Sequence, residues 1–324
     1  AVDGFCPATP QRAQRQLRDD VEALSMNFAE LYKSERPDIS FELFPPSTDR
    51  TLAELEERLP KLIALGPSLM TVTYGALGST QGRTLEITSK IKNEYGMECA
   101  HHLTCVGSSR DQIGLILDDI RKHNIENIVA LRGDPPRGET EFAPPKDGYS
   151  HGNQLVEHIS RYGGFGIAVA GYPEKHLEAP DFETDLWNLK RKVDSGADVI
   201  ITQLYYDNRN FYDFVERCRA IGIHQPIIPG LMPILNVEQI KRITGMCGAA
   251  IPEELLRQLE DSGADEERIH EIGITHTANQ ALDLLQHGVQ GIHFYVLNRH
   301  FHIAEIMERI KPALRRGGGA VPAK

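Results

Sequence analysis

Eight short β-rich runs recur along this chain with helix-like stretches between them, and that alternation restricts the fold more than any other feature. The runs are Ile39–Phe44, Leu69–Tyr74, Glu98–Thr104, Asn127–Leu131, Gly166–Ala170, Asp198–Gln203, Pro226–Leu231 and Gly291–Val296. Helical spacing of apolar residues marks Leu52–Leu65, Thr84–Tyr95, Arg110–His123, Gln154–Tyr162, Thr184–Ser195 and Asn210–Ile221. Strands joined through amphipathic helices pair in parallel by βαβ crossovers. Eight such units close naturally into a ring, whereas an open doubly wound sheet more often stops near about six strands. The expected fold class is α/β, a (β/α)8 TIM barrel, and 324 residues accommodate one such barrel.

The rhythm has two interruptions. Residues 1–37 are polar, with one helix expected over Ala13–Leu24, and form an N-terminal helical extension. Between strands seven and eight lie three helical patterns, Val237–Thr244, Glu253–Asp261 and Glu266–His287, where one crossover helix would suffice. These extra helices suit a cover over the mouth or a subunit contact. The expected organisation is an extension (1–37), a catalytic barrel (38–312) and a Gly-rich flexible tail (313–324).

Composition removes several function classes. A formal net charge of −11 argues against a general nucleic-acid or membrane surface. No apolar run approaches the ~18 residues of a membrane span. The first twenty residues hold no apolar signal core, so a cytoplasmic location is expected. Five cysteines without a CxxC pair fit reduced, buried thiols.

In a barrel, chemistry sits at the carboxyl ends of the strands. The first strand offers the clearest candidate. Alternation sends Ile39, Phe41 and Leu43 toward the helix layer and Ser40 and Glu42 into the barrel. A carboxylate in an apolar strand is expensive unless it is paired or used. Desolvation is expected to raise its pKa, as a general acid near neutral pH requires. The structural alternative is an ion pair with an interior Arg or Lys.

Strand four ends in Arg132-Gly133-Asp134, which offers a cation, a close backbone approach and a carboxylate. Strand six ends at Gln203, and strand eight delivers Asn298-Arg299. The Gly163–Gly166 cluster precedes a strand, so it is a loop and no dinucleotide fingerprint. Of His101 and His102 only one can face the site, and no companion ligand stands at metal spacing, so no metal is expected. On the helix over Thr184–Ser195, Asp185, Asn188 and Lys192 line one stripe with Arg191 nearby. That stripe suits a nucleotide, with cations for the diphosphate, and equally suits a solvated helix face.

Eight ordered motifs carry a family resemblance: Phe41-Glu42-Leu43-Phe44-Pro45-Pro46, Thr71-Val72-Thr73-Tyr74-Gly75-Ala76, His102-Leu103-Thr104-Cys105, Ala130-Leu131-Arg132-Gly133-Asp134, Gly171-Tyr172-Pro173-Glu174, Leu189-Lys190-Arg191-Lys192, Ile201-Thr202-Gln203 and Phe294-Tyr295-Val296-Leu297-Asn298-Arg299. Over roughly residues 38–310 the chain closely resembles methylenetetrahydrofolate reductase, in the short bacterial form or as an isolated catalytic domain.

The resemblance implies an FAD-dependent barrel, homo-oligomeric, that reduces 5,10-methylenetetrahydrofolate with NADH or NADPH in ping-pong fashion. It implies Glu42 as the acid at folate N10 and Asp134 as the charge that stabilises the resulting iminium and tunes the flavin. It implies FAD contacts from Thr73, Tyr74, Ala76, His102, Arg132, Gly133, Asp134, His151, Gly152, Tyr172, His176, Ala179, Asp185, Asn188, Arg191 and Lys192. Gln203, Gln239 and Arg299 are implied as substrate contacts. Where bacterial relatives can offer an aromatic for stacking, this chain has Ile243. Two other readings compete: another flavin barrel, such as a proline-dehydrogenase-like oxidase, and a non-catalytic folate- or nucleotide-binding barrel.

Overall fold

Parallel strands rich in Val, Ile and Ala form the inner wall, and each feeds a helix that packs its apolar stripe back onto it. The computed structural model describes residues 26–34, 36–74, 81–133 and 142–314. In chain order the elements are α1 (Phe28–Leu31), β1 (Asp38–Leu43), α2 (Asp49–Ile63), β2 (Leu69–Val72), α3 (Gln81–Asn93), β3 (Cys99–Thr104), α4 (Arg110–Lys122), β4 (Asn127–Leu131), α5 (Gly152–Tyr162), β5 (Gly166–Gly171), α6 (Phe182–Asp194), β6 (Val199–Thr202), α7 (Asn208–Ala220), β7 (Ile227–Ile228), β8 (Gly230–Leu231), α8 (Val237–Cys247), α9 (Glu253–Asp261), α10 (Glu266–Gln286), β9 (Gly291–Tyr295) and α11 (His300–Leu314). The strand order β7-β6-β5-β4-β3-β2-β1-β9-β8 is parallel throughout. Because β7 and β8 are consecutive in the chain, that order closes into a TIM-like barrel.

One expected strand is divided. The run Pro226–Leu231 becomes β7 and β8, split at Pro229, which has no N–H for the ladder. β7 pairs with β6, while Pro229 accepts from His293 N–H at 2.9 Å and β8 pairs with β9. The bend lets one stave serve both neighbours. The three extra helices appear as α8, α9 and α10. Helices α6 and α7 each start two residues earlier than their apolar pattern suggests. Asp181 and Asp207 cap them, accepting from Thr184 N–H (2.7 Å) and Arg209 N–H (3.0 Å).

The lower end of the barrel is closed by α1. Phe28, Leu31 and Tyr32 are buried against Leu69, Ala100, Val129, Ala168, Val199, Ile201 and Ile228. Asn127, fully buried, ties this plug down. Its Oδ1 accepts from Phe28 N–H at 2.7 Å, and its amide donates to Met26 O at 3.2 Å and Glu98 Oε1 at 3.1 Å. Gly166 leaves room for the arrangement, since a Cβ there would lie 2.5 Å from Phe28 N and 2.7 Å from Asn127 Oδ1. The expected helix Ala13–Leu24, Ala76, Asp134 and the Gly-rich end from residue 315 lie outside the described residues.

Candidate active site

The alternation read from β1 holds: Ser40 and Glu42 point into the barrel. Register places Glu42 between Thr71 on β2 and Tyr295 on β9. One carboxylate oxygen meets three groups: Thr71 Oγ1 donates at 3.4 Å, and His293 Nε2 and His102 Nε2 each lie 3.3 Å away. Behind His293, Ser40 Oγ stands 2.8 Å from Nδ1. The result is a buried polar row, Ser40–His293–Glu42–His102, across three strands.

This geometry overturns the expected pKa direction. Burial does push the Glu42 carboxyl up, but charge and hydrogen bonding from His102, then His293, outweigh it and hold the pKa near 2. Glu42 is therefore an ionised carboxylate in the free site. Its partners are also histidines, and neither the Arg nor the Lys of the structural alternative. His102 is the member of the His101–His102 pair that faces the site. His101 turns the other way against the Tyr74 ring, 5.9 Å between centroids, and burial drives its pKa to about 3.

A second cluster lies across the mouth, at the ends of β4 and β5 and on α6. Lys192 reaches inward from α6, donates to Ala170 O and lies 5.9 Å over the Tyr172 ring. Burial lowers its pKa to about 8. Asp185, two turns earlier on the same helix, accepts from His176 N–H at 3.0 Å, and the His176 ring packs edge-on against Tyr172 at 4.6 Å. Ala179 N–H donates to His176 O at 3.0 Å, closing the loop. Arg132 forms a two-point ion pair with Glu178 at 2.5 and 2.6 Å. A Cβ on Gly152 would meet Arg132 N at 3.5 Å and Lys192 Cδ at 3.9 Å, so these residues adjoin. Asn188 and Arg191 bond one another at 2.7 Å on the outer face of α6, and His151 is exposed just before α5. Gly133 has φ +90° and sits against Thr104 and Val106, where a side chain would clash.

The remaining candidates are spread around the rim. Thr73 and Tyr74 follow β2, with Thr73 O accepting from Thr84 Oγ1 at 3.0 Å. Gln203 follows β6, its N–H on Gly171 O at 2.8 Å. Gln239 is half-buried in the first turn of α8, and Arg299 is exposed after β9. Among the described residues no hydrogen bond or ion pair joins Gln203, Gln239 and Arg299 to one another.

Sequence reasoning did not single out His293, Thr71 or Thr104. Alternation would have found them, since His293 shares a face with Tyr295, Thr71 stands opposite Glu42, and Thr104 lies two residues beyond His102. The Thr104 hydroxyl is buried without a hydrogen-bond partner beside Gly133. An unpaired buried hydroxyl is costly, so it is suited to a polar ligand group seated at the mouth. Together with the buried ammonium of Lys192, it fits the donor set that a flavin nucleotide requires. Among the described residues no group of His, Cys, Asp or Glu could hold a metal, and no helix is long and apolar enough to cross a membrane. Cys99, Cys105 and Cys218 are buried, and burial raises each thiol pKa.

Comparison with known proteins converges on one family. The methylenetetrahydrofolate reductase family model matches residues 27–311. The chain is 38% identical to 5,10-methylenetetrahydrofolate reductase of Pectobacterium carotovorum subsp. carotovorum, covering 86% of this chain and 91% of that one. It is 43% identical to methylenetetrahydrofolate reductase (NADH) 1 of Arabidopsis thaliana over 80% of its residues, and spans 46% of that longer protein's length. Among solved structures, an uncharacterized protein from Clostridium thermocellum that binds two copies of 5-methyl-5,6,7,8-tetrahydrofolic acid shares the fold. There the TM-score is 0.59 at 14% identity, over 93% of this chain and 99% of that one. The family match spans every strand of the barrel and both clusters at its mouth, and the chain belongs to the methylenetetrahydrofolate reductase family.

Proposed function

We propose that this protein reduces 5,10-methylenetetrahydrofolate to 5-methyltetrahydrofolate with NADH or NADPH, using bound FAD and one site for both substrates in turn. The observation that carries the reading is the Glu42 carboxylate, held by two histidines and a threonine inside the mouth of a barrel of this family. When bound, FAD supplies a two-electron carrier between the nicotinamide and the folate.

The chain's own residues then have separable tasks. Lys192, Arg132 and Arg191 are suited to the diphosphate, and Asp185 and Asn188 to sugar or base hydroxyl and amino groups. Thr73, Tyr74, Ala76, His102, Gly133, His151, Gly152, Tyr172, His176 and Ala179 complete the cradle. Binding there asks Arg132 to share or release Glu178. Gln203, Gln239 and Arg299 position the folate from three sides.

Opening the folate's five-membered ring needs a proton at N10. Glu42 is ionised in the free site, so it must take up a proton before it can deliver one to N10, and ring nitrogens of His293 and His102 contact it directly. Ser40 holds the far nitrogen of His293 and keeps that ring aligned with the carboxylate. Opening leaves a cationic iminium, and Asp134 is assigned to stabilise it by charge. The test is anaerobic: record the bound-flavin spectrum, bleach it with NADH or NADPH, then add methylenetetrahydrofolate. Return of the oxidised spectrum is the expected result. A flavin that stays bleached, or a protein that takes up no flavin, would refute the reading.

A further inference from the structure

Helix α8 carries Gln239 in its first turn, and its far end is fastened to the loop that follows β5. Gly248 and Ala249 close the helix by donating to Thr244 O at 2.8 and 3.2 Å. Ala250 N–H, the next donor in the chain, reaches across to Glu174 Oε1 at 3.1 Å. Beside this bond Gly248, with φ +77°, lies flush on the same loop: a Cβ there would stand 2.7 Å from Leu177 Cδ2 and 3.8 Å from Lys175 O. Glu174 sits two residues after Tyr172 and two before His176, in the loop of the second cluster. That loop is braced from within, since Lys175 Nζ donates to His176 O at 3.2 Å and to Ala179 O at 2.6 Å. The Glu174–Ala250 bond therefore joins a self-supported loop to the end of a helix.

An acid makes this bond against local resistance. The other carboxylate oxygen, Oε2, is buried without a hydrogen-bond partner, which destabilises the fold. Burial raises the Glu174 pKa, the Ala250 bond opposes that rise, and the nearby Asp207 carboxylate adds to it. Local choices that work against stability concentrate where placement serves function. The helix it holds also has a narrow footing. Of the 11 residues of α8, only Ile240 and Thr244 are buried, so that seam alone fixes the tilt of the helix weakly. A bond at the far end supplies the second point that an axis needs.

We propose that Glu174 is a positioning residue: by holding Ala250 it fixes the axis of α8 against the β5–α6 loop and so sets where Gln239 meets the substrate. The assignment rests on the folate reading above, and Glu174 acts through α8. Glu174→Met keeps the volume and removes the acceptor, whereas Glu174→Gln keeps the acceptor. In the FAD-loaded enzyme, amide exchange over residues 247–252 should quicken about tenfold in Glu174→Met and stay at the parent rate in Glu174→Gln. The KM for methylenetetrahydrofolate should rise about tenfold in Glu174→Met with kcat within about twofold, and return in Glu174→Gln. In a Gln239→Ala background, Glu174→Met should add little to KM, because both changes remove the same contact. Unchanged exchange, an unmoved KM, no restoration by Glu174→Gln, or effects that simply multiply with Gln239→Ala would each overturn the proposal. Turnover with a KM indifferent to Glu174→Met removes the positioning role alone. A parent protein that turns over no folate removes the reductase and with it the role of Gln239, while the exchange rates still decide whether Glu174 holds α8.

Discussion

The two ends of the barrel are built from the same strands and obey opposite rules. At the lower end the side chains packed against α1 are apolar, α1 fills the opening, and the buried amide of Asn127 has its bonds satisfied. At the upper end the same strands turn inward the buried Thr71, His102, Thr104 and His293 and the part-buried Glu42, polar groups that destabilise unless partnered. The difference teaches that closing the lower end supplies stability, which the mouth can then forgo in favour of charge and unpaired donors. Mutations at one end should register in unfolding, and at the other in chemistry.

The largest effect expected is on the folate half-reaction. Glu42→Gln keeps the shape of the polar row but cannot pass a proton. Flavin reduction by NAD(P)H should continue at near-parent rate, while reoxidation by methylenetetrahydrofolate should slow about 10²–10⁴-fold. Rapid mixing of each half-reaction measures this directly. Unchanged reoxidation would remove Glu42 from its role, and equal loss in both halves would mean that it supports the flavin instead.

At the opposite end, Phe28→Ala should destabilise the fold by about 3–5 kcal/mol, with turnover per folded molecule unchanged. Denaturant unfolding followed in parallel with activity checks it. A variant of normal stability would show that α1 does not close the barrel. A fully folded variant with lost activity would show that the two ends are not independent.

Between these extremes stands Lys192→Met, which keeps the packing stem and removes the ammonium. The flavin should dissociate more readily, by about tenfold to a hundredfold, as for loss of one charge-assisted hydrogen bond. Fluorescence on FAD release during dilution reports it. Tight retention would place the diphosphate elsewhere.

Much of this comparison was legible in the chain, and the illegible part has a common cause. The alternation of β1 told which way Glu42 points, because side-chain direction in a strand is local. The sign of its pKa was not local, since it depends first on His102 and then on His293, each far away in the chain yet 3.3 Å away in space. The helix Thr184–Ser195 was ambiguous by itself, and only the fold shows Lys192 buried on Ala170 with Asp185 tied to His176. The division of the seventh strand at Pro229 follows from a missing N–H, which the sequence does display. The plug at Phe28–Tyr32 was hidden because a four-residue helix has too few turns to show an apolar period.

The smallest expected effect is a pH dependence that runs in opposite directions for binding and for folding. Lys192 has a folded pKa near 8 against an ordinary value of 10.5, lowered by burial and only partly restored by Asp185. A lysine depressed in this way binds its proton more weakly folded than unfolded. Between pH 8 and 10.5 the unfolded chain therefore carries more protons at this site, and this group's contribution makes the flavin-free protein more stable as pH rises. Its affinity for an anion moves the other way, since deprotonation removes the charge that would hold a diphosphate. FAD affinity should thus weaken severalfold from pH 7 to pH 9, while the apoprotein's unfolding midpoint drifts upward relative to Lys192→Met. The variant should show neither trend. An affinity that is flat across pH 8 in the parent protein would mean that the ammonium does not face the cofactor, and the second cluster would lose its central cation.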